Sequence, residues 1–265
     1  MILDLQTIRA DVEAIARRAG AAMMVYFDQP HQEIIKGNIN DVVTEGDKAS
    51  EAVIVPALRA AYPDFAIVSE ESGADANVNE AEYAWYIDPL DGTTNFATNF
   101  PFFSVSIALA DRDKVPLVGV VYNPVYNEMF SAARGFGATL NGRPLRVSAN
   151  DDLRRCVLAT GFPYLRHTMA DNNLREWNAM LMAARDLRRM GSAALDLCFV
   201  AAGRLDGFWE KHINSWDCLA GLLAVTEAGG TISDYDGGTE QLYTGKAIIA
   251  TNGRIHEAVK GIVSG

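Results

Sequence analysis

WYIDPLDGTTNF, residues 85–96, carries an apolar run with the look of a buried strand straight into two aspartates, Asp88 and Asp91, three positions apart. A buried carboxylate is costly unless a positive group or hydrogen-bond donors meet it. Pro89 fixes the backbone between the two acids, so the Leu90 carbonyl cannot follow a regular ladder and is free to turn inward. Gly92, Thr93 and Thr94 come next. Small residues with free N–H groups at a helix start suit an anion, phosphate above all. A bare Asp-x-x-Asp is as readily a surface turn. The same pair behind an apolar strand and ahead of Gly-Thr-Thr is a stronger signal. Its spacing is wrong for an EF-hand, and the chain has no Gly-x-x-x-x-Gly-Lys-Ser/Thr run.

Other acids stand at the ends of other elements. IVSEES places Glu70 and Glu71 after a short apolar run, and NSWDCLAGLLAVTEAGG places Asp217 near the start of an apolar helix. Thr44 and Asp47 read as a capping pair that opens a helix. Ligand sites in open α/β sheets lie at strand C-termini and helix N-termini. Carboxylates gathered there would repel unless a cation sat among them, and carboxylate oxygens are the preferred ligands of hard divalent ions such as Mg2+. Metals and a helix N-terminus meeting at one point describe a phosphoryl-transfer site. Nothing suggests a covalent nucleophile: His31, His167, His212 and His256 are scattered, and we expect them on the surface or in packing.

Composition bounds the rest. The 265 residues are 49% hydrophobic and 22% charged, in keeping with a globular chain able to bury one large core or two fused lobes. The net charge of −11 argues against a general nucleic-acid binder, which needs Lys and Arg for phosphate contacts. It does not exclude a small anionic substrate. No run of about 18 apolar residues reads as a membrane span. The opening MILDLQTIRADVEAIARR carries Asp4, Asp11 and Glu13 in a helical pattern and lacks the basic start and apolar stretch of a secretory signal, so it reads as mature sequence. Cys156, Cys198 and Cys218 are expected to be reduced core thiols, which points to a cytoplasmic protein.

Along the chain, the stripe Leu5, Ile8, Val12, Ile15, Ala19, Met23 predicts a helix over 3–27, and a second helix runs from Thr44 to Tyr62. FAIVSEE, YAWYI, FFSVSIALA, VPLVGVVYN and NEMFSAA read as strands, followed by a hairpin turning at Asn141-Gly142. This section looks antiparallel. After about residue 150 strand and helix alternate: RRCVLAT, a helix over 171–185, another over 192–202, LDGFWE, a helix from Asn214 to Ala228, KAIIATN and a last helix over 253–263. That alternation suggests an α/β half. No linker or repeat separates the parts, so we expect a single unit over 1–265 with packed lobes of approximately 1–150 and 151–265.

Three ordered blocks now carry a resemblance: DVVTEGD with IVSEES, WYIDPLDGTTNFATNFPFFSVSIAL, and GSAALDLCFVAAGRLDGFWE running into INSWDCLAGLLAVTEAGG. Over about Ile35 to Gly230 the chain resembles the inositol monophosphatase family of metal-dependent, lithium-sensitive phosphatases. The resemblance implies a layered αβαβα sandwich of the sugar-phosphatase type, α+β or α/β in class, with the site between the halves. It implies two or three Mg2+ ions. Glu70, Asp88 and the Leu90 carbonyl look like ligands of the first, and Asp88, Asp91 and Asp217 like ligands of the second. Gly92 and Thr93 would hold the phosphate through their backbone. Asp47 and the Thr93 hydroxyl, with Glu70, would orient the attacking water.

Lys36 falls in the loop that family members close over the site. Asp91, Ala193, Glu210 and Asp217 match substrate-contacting positions, whereas Glu71 reads as a neighbour rather than a ligand. The implied reaction is hydrolysis of a small polyol phosphate, inositol 1-phosphate first, with histidinol phosphate or another sugar phosphate as the alternative. Glu210 would accept from hydroxyls and equally attract an ammonium. A homodimer is the implied assembly. Arg166 to Trp177 is left open between a solvated stretch and one that tunes specificity.

Overall fold

The computed structural model describes residues 3–29, 34–35 and 42–265. Helix α1 (Leu5–Met24) is capped by Asp4, whose carboxylate accepts from the Gln6 and Thr7 amides, and it buries the predicted stripe from Ile8 to Met23, with Leu5 half-buried. Two short strands, β1 (Ile34–Ile35) and β2 (Val42–Val43), pair antiparallel and lead into α2 (Glu45–Ala61). There follow β3 (Ala66–Ser69), β4 (Gly73–Ala74), β5 (Tyr83–Asp91), the short α3 (Thr93–Ala97), β6 (Ser104–Asp111), β7 (Pro116–Asn123), β8 (Glu128–Ala133), β9 (Ala138–Leu140) and β10 (Arg143–Pro144).

Strands β3 to β10 form one eight-stranded sheet in the order β10-β9-β8-β7-β6-β5-β3-β4. It is antiparallel except where β3 lies parallel to β5. The β9–β10 hairpin turns on Asn141 and Gly142, both at positive φ as a two-residue turn requires. Side chains alternate across the sheet. Trp85, Ile87, Val105, Ile107 and Leu109 pack with α1 and α2, while Ala84, Tyr86, Ala108 and Ala110 pack on the opposite side. Both faces are covered, which is why these strands read as unbroken apolar runs.

The second sheet is built from β11 (Val157–Thr160), β12 (Asp186–Arg188), β13 (Gly207–Lys211), β14 (Thr231–Ser233) and β15 (Ala247–Thr251), in the order β12-β11-β13-β15-β14. β11 is parallel to both its neighbours and β15 antiparallel to both. Helices α5 (Ala193–Ala201) and α6 (Ser215–Glu227) lie between the two sheets, and α4 (Leu174–Ala183) and α7 (His256–Val263) cover the outer face of the smaller one. The result is the αβαβα layering that the family resemblance implies. The strands Asp186–Arg188 and Thr231–Ser233 are not predicted from the sequence, because three residues carry too little period to show as strands. The helix predicted over 171–185 is Leu174–Ala183, and the first of these strands follows it.

Close packing fixes α6. A Cβ on Gly119 of β7 would stand 2.8 Å from the Ala220 Cα, and one on Gly221 would stand 2.5 Å from the Leu197 Cβ of α5. Helix α6 therefore meets the sheet backbone to backbone at Gly119 and Ala220 and packs its Gly221 directly on the Leu197 side chain of α5. Phe208 is fully buried in the core around this contact, and Phe96 and Phe103 are fully buried in the core on the other face of the large sheet. Each such side chain contributes roughly 1.5–3 kcal/mol of transfer free energy.

Candidate active site

β5 does not stop ahead of its acids but stays extended through Asp91. Its pairing with β6 slips there: Asp88 faces Ser106 and Asp91 faces Ser104, so three steps on β5 meet two on β6. This is a bulge. The Leu90 amide turns back to the Asp88 Oδ1 at 2.9 Å, and the Pro89 carbonyl accepts from Ser50 Oγ at 2.7 Å. The Leu90 carbonyl leaves the ladder and accepts from Thr93 Oγ1 at 3.1 Å. Gly92 then takes φ +100°, with the Phe102 and Gly191 carbonyls 3.1 and 3.2 Å from where a Cβ would stand. Only glycine fits this position without strain.

The topology brings the remaining acids to the bulge. The Glu70 amide, just past β3, donates to the Ile87 carbonyl at 3.1 Å, which sets Glu70 beside Asp88 on the neighbouring parallel strand. Asp217 arrives in the first turn of α6. Carboxylate oxygens of Glu70, Asp88 and Asp217 all lie within 4.8 Å of one another. Asp91 is not one of these three: its Oδ2 is held by Ser192 Oγ at 2.5 Å and the Ala194 amide at 2.8 Å, tying β5 to the start of α5. It lines the same cleft.

Two aspartates serve two partners at once. Asp47 Oδ2 accepts from the Thr44 amide and the Thr44 hydroxyl, each at 2.7 Å, and so caps α2. Its Oδ1 faces Thr93 Oγ1 at 3.2 Å. Asp47 thus both caps α2 and contacts Thr93 Oγ1. Asp217 likewise closes a capping box, its Oδ2 accepting from the Asn214 amide at 2.6 Å.

These residues open onto a cleft of about 110 Å3, walled on the far side by Ala193, Glu210 and the Gly161–Tyr164 segment. Glu210 points in from β13 and is buried. A Cβ on Gly161 would overlap its carboxylate, so the glycine makes room for the acid. Asn173, buried in the undecided 166–177 stretch, braces this wall. Its Nδ2 donates to Thr160 Oγ1 and the Gly161 carbonyl, and its Oδ1 accepts from Trp209 Nε1 at 2.8 Å.

Electrostatics mark the cluster as one that wants a cation. Burial, then the charge of Glu70, pushes Asp88 well above the usual carboxylate range, and the same two causes raise Asp217. The charges acting most strongly on Asp88 are all acidic: Glu70, Asp91 and Asp217. Asp91 is pushed up to about 6 by burial, against the pull of Ser192 and the Ala194 amide. Asp47 is likewise raised by burial to about 6, with Thr44 opposing. Burial carries Glu210 to about 8. Three carboxylate donors converging, with the strongest charges on Asp88 all acidic, fit a hard divalent ion.

Glu71 stands outside the converging set, and Lys36 lies outside the described residues. Arg189, Ser192, Asp196 and His212 also line the cleft and are not predicted as site residues from the sequence. Ser192 had a legible signal, a serine just ahead of an apolar helix, and it does cap α5. Among the described residues His212 is the one histidine drawn to the site: it lines the cleft with Nε2 3.1 Å from Asp171. His256, in contrast, is packed between Ser233 and Thr251. All three cysteines are buried and free.

Known proteins share this frame. The model of the inositol monophosphatase family matches residues 4–264. The chain is 47% identical over 255 residues to the inositol-1-monophosphatase of Synechocystis sp., covering 96% of this chain and 88% of that one. It is 44% identical over 248 residues to the protein named Nus factor SuhB in Haemophilus influenzae, covering 93% and 92%. Among solved structures, the inositol monophosphatase of Anabaena superposes with a TM-score of 0.88 at 42% identity, covering 98% of this chain and 96% of that one. A match of this length, on a chain whose bulged strand gathers three carboxylates beside a Thr–Asp pair, leaves one assignment: the chain belongs to the inositol monophosphatase family, whose members are metal-dependent phosphatases.

Proposed function

We propose that the protein hydrolyses a small polyol phosphate monoester, inositol 1-phosphate first among them, in a lithium-sensitive reaction that uses two or three Mg2+ ions. The carrying observation is the convergence of Glu70, Asp88 and Asp217 within 4.8 Å beside the Thr93–Asp47 contact. Glu70, Asp88, the Leu90 carbonyl, Asp91 and Asp217 are the residues that would hold the metals. When bound, such ions supply Lewis-acid charge for the phosphoryl oxygens and make water acidic enough to attack near neutral pH.

The chain's own groups do the rest. The Gly92 and Thr93 backbone receives the phosphate at the turn that φ +100° creates. Thr93 Oγ1 takes the attacking water's proton toward Asp47, whose burial makes it a better acceptor than an exposed aspartate. Glu70 shares the orientation of that water. The leaving group's hydroxyls face Asp91, Ala193, Glu210 and Asp217. The enzyme works as a cytoplasmic homodimer, and no helix in the described residues is long and apolar enough to cross a membrane.

The test is phosphate release in Mg2+ with inositol 1-phosphate and histidinol phosphate compared by kcat/KM. Preference for the inositol ester is expected. Preference for histidinol phosphate would keep the metal site and recast Glu210 as an ammonium acceptor.

A further inference from the structure

Asp196, like Glu210, is an acid of the cleft that neither a helix cap nor the metal cluster uses. It lies in the first turn of α5 and is 2% exposed, yet lines the cleft. Its Oδ1 is fully enclosed and has no hydrogen-bond partner. It does not cap its helix, because Ser192 does. A buried carboxyl without a donor costs stability, and such groups persist where a ligand completes them. Three charged groups act on it: Glu210 from β13, Asp91 from β5 and Arg189 from the loop ahead of α5, the first two acidic and the last basic. All three line the same cleft. Arg189 packs on Gly191, with Nη1 2.6 Å from where a Cβ would stand there.

We propose that Asp196 is a specificity-determining residue: with Glu210 it reads the hydroxyl groups of the polyol half of the substrate. This rests on the phosphatase reading above and names what recognises the leaving group. With Asp91 met by Ser192 and the Ala194 amide and counted with the metal ligands, Asp196 and Glu210 are two acids facing one guanidinium, and one proton held between them would make that part of the pocket neutral. Burial favours that neutral form at Asp196 and Glu210 alike. A neutral pocket offers one O–H donor and several acceptors, which suits vicinal hydroxyls. A cationic substrate would instead need both acids ionised. Hydrogen-bonding groups held this way discriminate strongly, since a substrate lacking the hydroxyl leaves them unpaired.

The experiment compares wild type, Asp196→Asn and Asp196→Ala by the ratio of kcat/KM for inositol 1-phosphate to that for phenyl phosphate, which has no hydroxyl to read. In Asp196→Ala the ratio should fall by at least about tenfold, chiefly through KM for the inositol ester. In Asp196→Asn it should stay within about threefold, because the amide keeps a donor and an acceptor without charge. Thermal melting of the substrate-free protein should show Asp196→Asn no less stable than wild type.

An unchanged ratio in Asp196→Ala overturns the proposal. So does an Asn variant as impaired as the Ala one, which would make Asp196 an ionised contact. A marked loss of melting temperature in Asp196→Asn would make the residue structural and also overturn it. A wild type with no preference for the inositol ester overturns the substrate reading along with this one. A preference that neither variant alters overturns this one alone.

Discussion

Asp217 and Asp196 stand in the first turns of neighbouring helices and line one cleft, yet they are held in opposite ways. Asp217 is fastened, its Oδ2 on the Asn214 amide at 2.6 Å, as Asp47 is fastened by Thr44 at the start of α2. Asp196 has no such bond, and its Oδ1 is orphaned. A capping aspartate spends one oxygen on the backbone and keeps the other free in a direction that the helix fixes. The two helix starts thus aim carboxylates with little side-chain entropy left to lose on binding, whereas an uncapped acid depends on its ligand to place it.

Asp217→Asn breaks the fastened side most severely. The amide oxygen can still accept from the Asn214 N–H, so the cap survives while the charge goes. We expect kcat/KM with Mg2+ to fall by about 10²–10³-fold or more, the range for losing one main electrostatic stabiliser, with the metal-free melting temperature unchanged or raised. Near-normal turnover would reduce Asp217 to a helix cap.

Asp47→Asn sharpens the same point with a smaller effect. The variant still caps α2 through its amide oxygen but offers no carboxylate to Thr93 Oγ1. A loss of about 10²-fold in kcat is expected, with KM little changed. Asp47→Ala should show the same kinetic loss plus about 1 kcal/mol of stability from the missing cap. If the two variants differ in kcat but not in stability, the cap and the proton path are not separable as drawn. Combining Asp47→Asn with Thr93→Val should cost little beyond the larger single effect, because both remove one path.

What the sequence discloses follows from how each residue is held. The capping pairs announce themselves, as Thr44 with Asp47 does three positions on, because the physics is local. The bulge at Asp88–Asp91 is legible through Pro89 and Gly92, which leave few backbone options. Strands packed on both faces show as apolar runs, whereas the three-residue edge strands Asp186–Arg188 and Thr231–Ser233 do not.

Asp196 is invisible in the sequence. In ALDLCFVA it looks like an ordinary first-turn acid, and only the meeting of α5 with β13 shows that it is buried beside Glu210. Asn173 is hidden for a similar reason: its three partners come from residues 160, 161 and 209. Local chemistry can be read from one segment, but a constellation assembled across sheets needs the fold.

The smallest expected effect tests the cluster as a whole. Asp47 and Asp91 sit at about 6 and Glu210 at about 8 in the folded chain, all above their ordinary values. A carboxyl raised on folding binds more protons folded than unfolded between its two pKa values, so stability falls as pH rises through that window. Between pH 6 and 8 the falling contribution comes from Glu210, with Asp88, Asp196 and Asp217 adding in the same sense.

Metal-free protein should therefore melt on the order of 5 °C higher at pH 6 than at pH 8. Divalent ions bind the ionised carboxylates and compete with protons for them, so the gain in melting temperature on adding Mg2+ should be larger at pH 8. Asp217→Asn should shallow the metal-free slope, and Asp196→Asn should shallow it independently. If melting in chelator drops on acidification from pH 8 to 6, the acids are ionised in the empty fold, and their mutual repulsion is being relieved by something other than protons.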